Sequence, residues 1–174
     1  MRHSILWAVG ALAAGPVTVA AVQLMAASGF VVLPGAAPRF GGPQGREKDY
    51  TEILATRDQT GGSLGMFRQE IAPGSGPPVH VHRAEDEFIF VLSGNFRVRL
   101  GDRTTNAASQ SLMFVPKGTV HAFQNVGSGP GVLLVGVTPG GFEKFFQERQ
   151  GVDADTQRAL MKTHNMEVVG PPLK

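Results

Sequence analysis

The stretch GSGPPVHVHRAEDEFIFVLSG, residues 74–94, carries the strongest information on the fold of this 174-residue chain. It places His80 and His82 two residues apart and follows them with an acidic cluster that ends at Glu87. Side chains two residues apart on a β-strand point to the same side, so both imidazoles would face one point. The two prolines before them stiffen the approach to this strand. The stretch therefore predicts a strand that presents two metal-binding side chains together.

A second stretch, PKGTVHAFQN at residues 116–125, adds a third histidine after a turn sequence. Pro116 and Gly118 predict a turn that returns a distant strand to the same interior, and His121 follows this turn. Three imidazoles and one carboxylate are a common ligand set for a divalent transition metal. The predicted metal ligands are His80, His82, Glu87 and His121.

Glu87 is preferred over Glu85 and Asp86 because it heads the apolar run at residues 88–92. We predict a second role for Glu87, as the catalytic proton acceptor. Three nitrogen ligands and one oxygen ligand leave two positions open on an octahedral ion. Iron or manganese is favoured for the site, and nickel, zinc, cobalt and copper are alternatives. The remaining histidines, His3 and His164, are predicted to be structural or exposed to solvent.

Short β-rich runs separated by turn residues extend from Tyr50 to about Val137. Strands of this length and spacing indicate an antiparallel sandwich or barrel. The Ser-Gly-Asn sequence at residues 93–95 predicts a hairpin turn. The predicted strands cover residues 63–71, 87–92, 96–100, 111–115, 121–125 and 132–137, and His80 and His82 lie on a further strand.

The chain divides into four predicted segments. Residues 1–37 are an apolar export segment, residues 38–49 a Gly- and Pro-rich linker, residues 50–139 the barrel, and residues 140–174 a helical extension packed on the barrel. Phe142, Phe145 and Phe146 lie at helical spacing, and Asp153 is a suitable N-cap for a helix that runs to His164. The segment from Val168 to the end is predicted to be either strand-like or irregular.

The N-terminal segment is interpreted as a cleaved signal peptide or as an uncleaved membrane anchor, and a start codon placed too early is the third alternative. Arg2 before the apolar run favours an inward N-terminus, so the first two alternatives place the folded domain outside the cytoplasm. We therefore expect a periplasmic or secreted protein, membrane-anchored if the segment is retained. The membrane would be contacted only through that segment.

The composition excludes several classes of function. The chain has 16 basic and 14 acidic residues, and because Arg2 and Arg39 precede every acid, the remainder is neutral. No basic stripe is present, which argues against nucleic-acid binding. The absence of cysteine excludes disulfides, thiolate catalysis and cysteine-bound zinc.

These motifs resemble those of the cupin superfamily. The second motif departs from the family pattern at Gln110, where its leading turn glycine would fall. The resemblance implies a double-stranded β-helix, also called a jelly roll, that is usually dimeric. The residues that match are Gly74, His80, His82, Glu87 and Gly94 in the first motif, and Pro116, Gly118, His121 and Asn125 in the second.

A looser similarity over residues 50–173 is to bacterial single-cupin proteins described as quercetin 2,3-dioxygenase-like. It implies an exported metal-dependent dioxygenase that acts on a small aromatic or enol-containing compound. The alternatives are a non-oxidative metal-dependent isomerase, cyclase or lyase, and a non-catalytic module that binds a small molecule or a metal. Because one barrel serves many chemistries, fold and metal do not specify the reaction.

Strand parity suggests which residues line the ligand cavity, although the same side chains would also suit a plain core. Phe88 and Phe90 alternate away from Glu87, so they would either pack against the tail helices or form a homodimer contact. The candidates for the cavity wall are Ile89, Val91, Phe96, Val98, Phe114 and Phe123, with Gln124 or Gln69 as polar members.

Overall fold

The computed structural model describes residues 28–43 and 46–174. The predicted export segment, residues 1–37, lies mostly outside these residues, so its cleavage stays a prediction. No helix in the described part of the chain has the length and apolar character needed to cross a bilayer.

Eleven strands and two helices make up the regular structure of the described residues. The first strands are β1 (Arg39–Gly41), β2 (Tyr50–Ala55), β3 (Gly65–Ile71), β4 (Pro78–His82), β5 (Asp86–Ser93) and β6 (Asn95–Leu100). The others are β7 (Arg103–Ala108), β8 (Leu112–Val115), β9 (His121–Asn125), β10 (Gly131–Thr138) and β11 (Met166–Pro172). The helices are α1 (Lys144–Glu148) and α2 (Ala154–Thr163).

The strands form two antiparallel sheets that face each other. One sheet has the order β1-β2-β3-β10-β5-β8, and the other has the order β11-β4-β9-β6-β7. Successive strands along the chain often lie in different sheets, as a jelly roll requires. The predicted all-β class and jelly-roll architecture are confirmed.

The apolar core lies between the sheets because inward and outward residues alternate along each strand. In β10, Leu133, Val135 and Val137 are buried, and β3 contributes Phe67 and Ile71. Each buried side chain of this size contributes about 1.5–3 kcal/mol relative to an exposed one. This core is independent of the histidines, so we expect the barrel to fold without metal.

The Ser-Gly-Asn turn at residues 93–95 does not form the predicted hairpin. The strand before it, β5, pairs with β10 and β8, whereas the strand after it, β6, pairs with β7 and β9. The turn therefore carries the chain from one sheet to the other. Gly94 permits this with φ +97°, and a side chain there would collide with Gly131. Local turn residues encode the change of direction but not the choice of partner strand.

Three strands, β1, β2 and β7, are absent from the predicted set. β2 precedes the first predicted strand, which begins at residue 63. β1 falls in the segment predicted as a linker, and it pairs with β2. β7 has the polar sequence RTTNAA and lies at a sheet edge, where both of its faces are largely exposed. Its sequence therefore lacks the alternation of apolar and polar residues that indicates a strand. β11 corresponds to the strand-like alternative predicted for the end of the chain, begins two residues earlier at Met166, and pairs with β4, which carries two of the histidines.

The tail helices pack near the histidines and not over the outer face that carries Phe88 and Phe90. The predicted N-cap is present, since the Asp153 side chain accepts a hydrogen bond of 2.7 Å from the Thr156 backbone N–H. The rings of α1 contact Phe67, whose side chain points inward. Phe88 instead covers Gly136, where an added Cβ would lie 2.0 Å from its ring. The homodimer contact through this face stays a prediction.

Gln110 occupies the turn where the family motif has glycine, and it keeps a left-handed backbone with φ 72°. Its backbone N–H donates a 2.8 Å hydrogen bond to the Val91 carbonyl oxygen, which holds the turn in place. A left-handed conformation costs a residue with a Cβ roughly 1–2 kcal/mol.

We expect Gln110→Gly to raise the free energy of unfolding by about 0.5–1 kcal/mol, because the greater freedom of unfolded glycine offsets part of the relieved strain. Urea unfolding at equilibrium would measure this change. Gln110→Ala is the matched control and should give no such gain, since it keeps the Cβ. Equal stability of the glycine and alanine variants would contradict the assignment of strain.

Candidate metal centre

Three strands from both sheets bring the four predicted ligands to one place. His80 and His82 lie on β4 with same-side spacing, and His80 is paired in register with His121 at the start of β9. Glu87 comes from the opposite sheet, near the start of β5, where it faces inward. The side chains therefore converge between the sheets.

The four residues form a compact buried group. One ligand atom from each of His80, His82, Glu87 and His121 can be chosen so that all lie within 4.8 Å of one another. The side chains are almost inaccessible, with His121 and His82 only 0% and 2% exposed. Separations of this size suit ligands that surround one ion. The group could bind a metal ion, as the spacing of the residues predicts.

Backbone carbonyls determine which imidazole nitrogens are free to bind. His80 Nδ1 lies 2.8 Å from the Pro78 carbonyl oxygen, and His121 Nδ1 lies 3.0 Å from the Thr119 carbonyl oxygen. A carbonyl oxygen only accepts hydrogen bonds, so both Nδ1 atoms carry the proton and donate it. In the neutral form of each ring, the Nε2 atom then holds the free lone pair. Metal-binding histidines are commonly oriented in this way.

Burial keeps two of the imidazoles neutral. Burial, helped by the nearby His121 and His82, lowers the pKa of His80 from 6.5 to about 3. Burial likewise lowers the pKa of His82. Both side chains are therefore unprotonated near neutral pH, which is the form that binds a metal.

Glu87 and His121 stabilise each other's charged forms. Burial alone would raise the pKa of Glu87, but contact with His121 and the potential of the other imidazoles lower it to about 2. For His121, burial opposes protonation, but the adjacent Glu87 carboxylate raises the pKa overall. A cation between the two residues would take the place of this proton.

Two polar atoms at the centre of the group lack hydrogen-bond partners. Glu87 Oε2 and His121 Nε2 approach to 2.8 Å, yet their alignment is not that of a hydrogen bond. Unsatisfied buried polar atoms are costly, so their presence in a native site calls for a partner. A divalent cation held by both atoms would satisfy them, and the donor set suits a transition metal. The residues fit the metal that the sequence predicts.

The neighbouring acids have separate positions. Asp86 accepts a 2.8 Å hydrogen bond from the Lys117 backbone N–H and so stabilises the turn before His121. Glu85 is buried, and its Oε2 lies 3.8 Å from His82 Nδ1, with neither atom hydrogen-bonded in the described structure. Burial raises the pKa of Glu85. Glu85 lies on the Nδ1 side of His82, where it is positioned to orient the imidazole ring. The sequence analysis did not predict this role.

A cavity of about 200 Å³ adjoins His80, His82 and Glu87. Of the predicted wall residues, Gln69 and Phe123 line it. Phe114 is 54% exposed, because β8 turns Met113 and Val115 inward instead, so this prediction is wrong. Gln124 donates to the Gly74 carbonyl oxygen at the edge of the barrel and is not among the lining residues. The remaining candidates, Ile89, Val91, Phe96 and Val98, belong to the apolar core.

The tail supplies the aromatic part of the wall, which strand parity could not predict. Phe142 packs edge-on against His82 with ring centroids 4.3 Å apart. Phe145 and Phe146 lie 5.4 and 5.6 Å from Phe142, measured between centroids. Their helical spacing was the available signal, but it did not show that the helix covers the ligand group. The tail therefore closes one side of the site with rings.

Comparisons with known proteins agree with this architecture. A model of the cupin domain matches residues 67–137. The chain is 25% identical over 118 residues to the tetracenomycin polyketide synthase protein TcmJ of Streptomyces glaucescens, covering 67% of this chain and 76% of that protein. It is 30% identical over 86 residues to an uncharacterised protein of Streptomyces coelicolor, covering 49% of this chain and 76% of the relative.

The fold is similar to solved structures. The structure of KdgF from Halomonas sp. aligns with a TM-score of 0.59 at 15% sequence identity, covering 67% of this chain and 99% of that chain. At this level of identity the likeness concerns the fold alone.

Proposed function

Since this chain belongs to the cupin family, we propose that it is a metal-dependent dioxygenase that acts on a small aromatic or enol-containing compound. The observation that carries the proposal is a buried group of three imidazoles and one carboxylate beside an aromatic cavity. Neither the fold nor the family specifies this reaction, so the proposal rests on the site.

His80, His82, Glu87 and His121 would hold the ion, with iron or manganese favoured. A bound ion of this kind supplies Lewis acidity toward substrate oxygens and, when redox-active, reactivity toward dioxygen. Four protein ligands leave room for a substrate oxygen donor on a six-coordinate ion. His80 and His121 are held in the required tautomer by the carbonyl oxygens of Pro78 and Thr119.

The chain's other groups bind the substrate and exclude water. Phe67, Phe142 and Phe146 offer ring faces to a flat apolar molecule, and Gln69 offers an amide. Glu87 is ionised at neutral pH because its pKa is lowered to about 2. While Oε2 holds the ion, the other carboxylate oxygen would be the one to accept a proton from a substrate hydroxyl.

The cavity size restricts the substrate. Its volume of about 200 Å³ is below the roughly 300–1,000 Å³ that is typical of ligand pockets. A compound with one ring suits this space better than a three-ring flavonol. We therefore favour a single-ring phenol or enol over quercetin itself.

A non-oxidative cyclase, isomerase or lyase is the second candidate. It is favoured by the relative named as a polyketide synthase protein, which covers 67% of this chain. The same four ligands would serve it, but the reaction would proceed without dioxygen. The dependence on dioxygen therefore separates the two candidates.

Oxygen consumption tests the main proposal. We expect protein loaded with Fe(II) or Mn(II) to consume dioxygen with a panel of catechols and single-ring enols, as measured with an oxygen electrode. Protein loaded with Zn(II) is the matched control and should consume none, because zinc has no redox chemistry. Turnover of the same compounds under anaerobic conditions would support the non-oxidative alternative, and no turnover with any metal would leave a binding role.

The proposal also includes the location of the protein in the cell and its oligomeric state. The N-terminal apolar segment supports a site of action outside the cytoplasm, and the outer face around Phe88 and Phe90 supports a homodimer. Fractionation of the native cell tests the first, and light scattering of the purified protein tests the second.

A further inference from the structure

Arg149 is a buried cation on the wall of the same cavity. It follows α1 directly, is 9% exposed, and lines the cavity together with His80, His82 and Glu87. Its guanidinium carbon lies 5.5 Å from the centroid of Phe145 and 5.0 Å from that of Phe146. The ring of Phe142 contacts both phenylalanines and also His82. The aromatic rings therefore separate the guanidinium from the candidate metal ligands.

Within the described residues Arg149 forms no ion pair, although the Asp49 carboxylate lies near enough to interact with its charge. Its Nε has no hydrogen-bond partner, and its Nη2 donates a 3.3 Å hydrogen bond to the Gly41 carbonyl oxygen. The residues outside the description, 1–27 and 44–45, contain no Asp or Glu. A guanidinium has five N–H donors, so most of its hydrogen-bonding capacity is unused.

The neighbouring charges leave one net positive charge at this end of the cavity. Arg46 also lines the cavity, but its Nε donates to Asp49 Oδ2 at 2.7 Å and to Ser75 Oγ at 3.1 Å. Asp49 in turn accepts from the Ala72 backbone N–H and the Ser75 hydroxyl. Burial and the nearby Arg46 lower the pKa of Arg149 to about 10, against the opposing effect of Asp49, and Arg149 is still protonated at neutral pH.

We propose that Arg149 binds a carboxylate of the substrate, so that the substrate is a small aromatic or enol acid. An isolated buried cation is unfavourable unless an anion compensates it. The planar guanidinium matches a carboxylate through two parallel hydrogen bonds. One unneutralised positive charge suits a monoanionic carboxylate better than a phosphate dianion. The ligand would thus carry an oxygen donor toward Glu87 and a carboxylate toward Arg149, with its ring between the phenylalanines.

This inference rests on the proposed function for the oxygen-donor end of the ligand, but its central claim can be tested without metal. Calorimetric titration of the metal-free protein with benzoate and with benzamide isolates the anion site. We expect benzoate to bind at least about tenfold more tightly than benzamide, since hydrogen bonds to charged groups contribute more than neutral ones. Equal affinities for the two compounds in the wild-type protein would overturn the proposal. The metal content of the purified protein tests the proposed function separately.

Variants of Arg149 identify the group responsible. Arg149→Met should remove the preference for benzoate, and Arg149→Lys should keep part of it. Arg158→Met is the matched control, because Arg158 is an exposed tail arginine that pairs with Asp155, and its loss should leave the preference unchanged. In the metal-loaded protein, the affinity for 3,4-dihydroxybenzoate should exceed the affinity for catechol by a similar factor. Only the Arg149 variants should reduce this factor.

Thermal unfolding separates a ligand-binding role from a structural one. If Arg149 serves to bind an anionic ligand, Arg149→Met removes an unpaired buried charge from the ligand-free protein. The ligand-free variant should then melt at a higher temperature than the wild-type protein. If Arg149 serves only to attach the tail to Gly41, the same variant should melt at a lower temperature. A lower melting temperature together with an unchanged preference for benzoate would refute the proposal.

Discussion

Replacing His82 by alanine is expected to abolish stoichiometric metal binding by the folded protein. Four ligand atoms lie within 4.8 Å of one another, and the variant removes one of them from a buried position where no exposed side chain can substitute. Loss of residues that merely orient ligands costs about 10–100-fold in metal affinity, so loss of a ligand should cost more than about 100-fold. Elemental analysis after dialysis against a weak chelator measures the remaining metal.

Glu87→Ala should have the same effect, because Glu87 supplies the only carboxylate of the group. Asp86→Ala is its matched control. Asp86 precedes Glu87 but binds the Lys117 backbone N–H, so its loss should cost about 1 kcal/mol of stability and leave the metal in place. For His82, the control is His164→Ala, since His164 pairs with Glu148 near the surface of the tail. A full complement of metal in either ligand variant would show that the ligand assignment is wrong.

Stability provides a second measurement of the same prediction. A metal that binds only the folded state stabilises it by an amount that grows with concentration, about 2.7 kcal/mol at 100 times the dissociation constant. Added Fe(II) or Mn(II) should therefore raise the melting temperature of the wild-type protein. It should not raise that of His82→Ala. Each protein is compared with its own metal-free form, because the variant also loses a buried ring that packs on Phe142.

The grouping of the four candidate ligands could be predicted because much of their geometry is local. Side chains two residues apart on one strand point in the same direction, whatever the rest of the fold. This rule placed His80 and His82 on one face of β4. Glu87 and His121 follow turns whose residues are visible in the sequence. The prediction for these four side chains depends on strand geometry and spacing, and the structure brings them together.

Contacts between distant segments could not be predicted in the same way. The turn at residues 93–95 was visible, but its assignment to a hairpin was wrong because pairing depends on β8 and β10, far along the chain. The helical spacing of the tail phenylalanines was also visible in the sequence. The sequence did not show that Phe142 contacts His82. The burial of Arg149 could not be predicted from the sequence, since a lone arginine in a helical tail is usually exposed to solvent.

The tail is held against the barrel by Glu143, and its loss is the second large effect that we expect. Glu143 is completely buried, and its Oε1 accepts a 2.6 Å hydrogen bond from the Arg57 backbone N–H. Its Oε2 accepts a 2.7 Å bond from the Gly141 backbone N–H. The carboxyl group fills the space beside Gly65, where an added Cβ would lie 2.2 Å from Oε2. One side chain thus joins the loop after β2, the start of β3 and the aromatic wall.

Glu143→Ala should lower the free energy of unfolding by about 2–4 kcal/mol, because two partly buried N–H groups lose their charged acceptor, at about 1–3 kcal/mol each, and the buried side chain leaves a cavity. Equilibrium urea unfolding would measure this loss. Glu143→Gln keeps one acceptor oxygen and the side-chain volume, so we expect it to lose roughly half as much. Glu148→Ala, at a half-exposed acid of the same helix, is the control and should change stability by less than about 0.5 kcal/mol.

The same variants test whether the tail belongs to the functional site. Phe142 lies next to Glu143 and packs on His82, so loosening the tail should open the aromatic side of the cavity. We expect Glu143→Ala to bind 3,4-dihydroxybenzoate at least about tenfold more weakly at a temperature where it remains folded, while its metal content stays near that of the wild-type protein. The ligands lie on β4, β5 and β9, and none of these strands contains Glu143. Loss of metal together with loss of the organic ligand would instead mean that the barrel itself depends on this attachment.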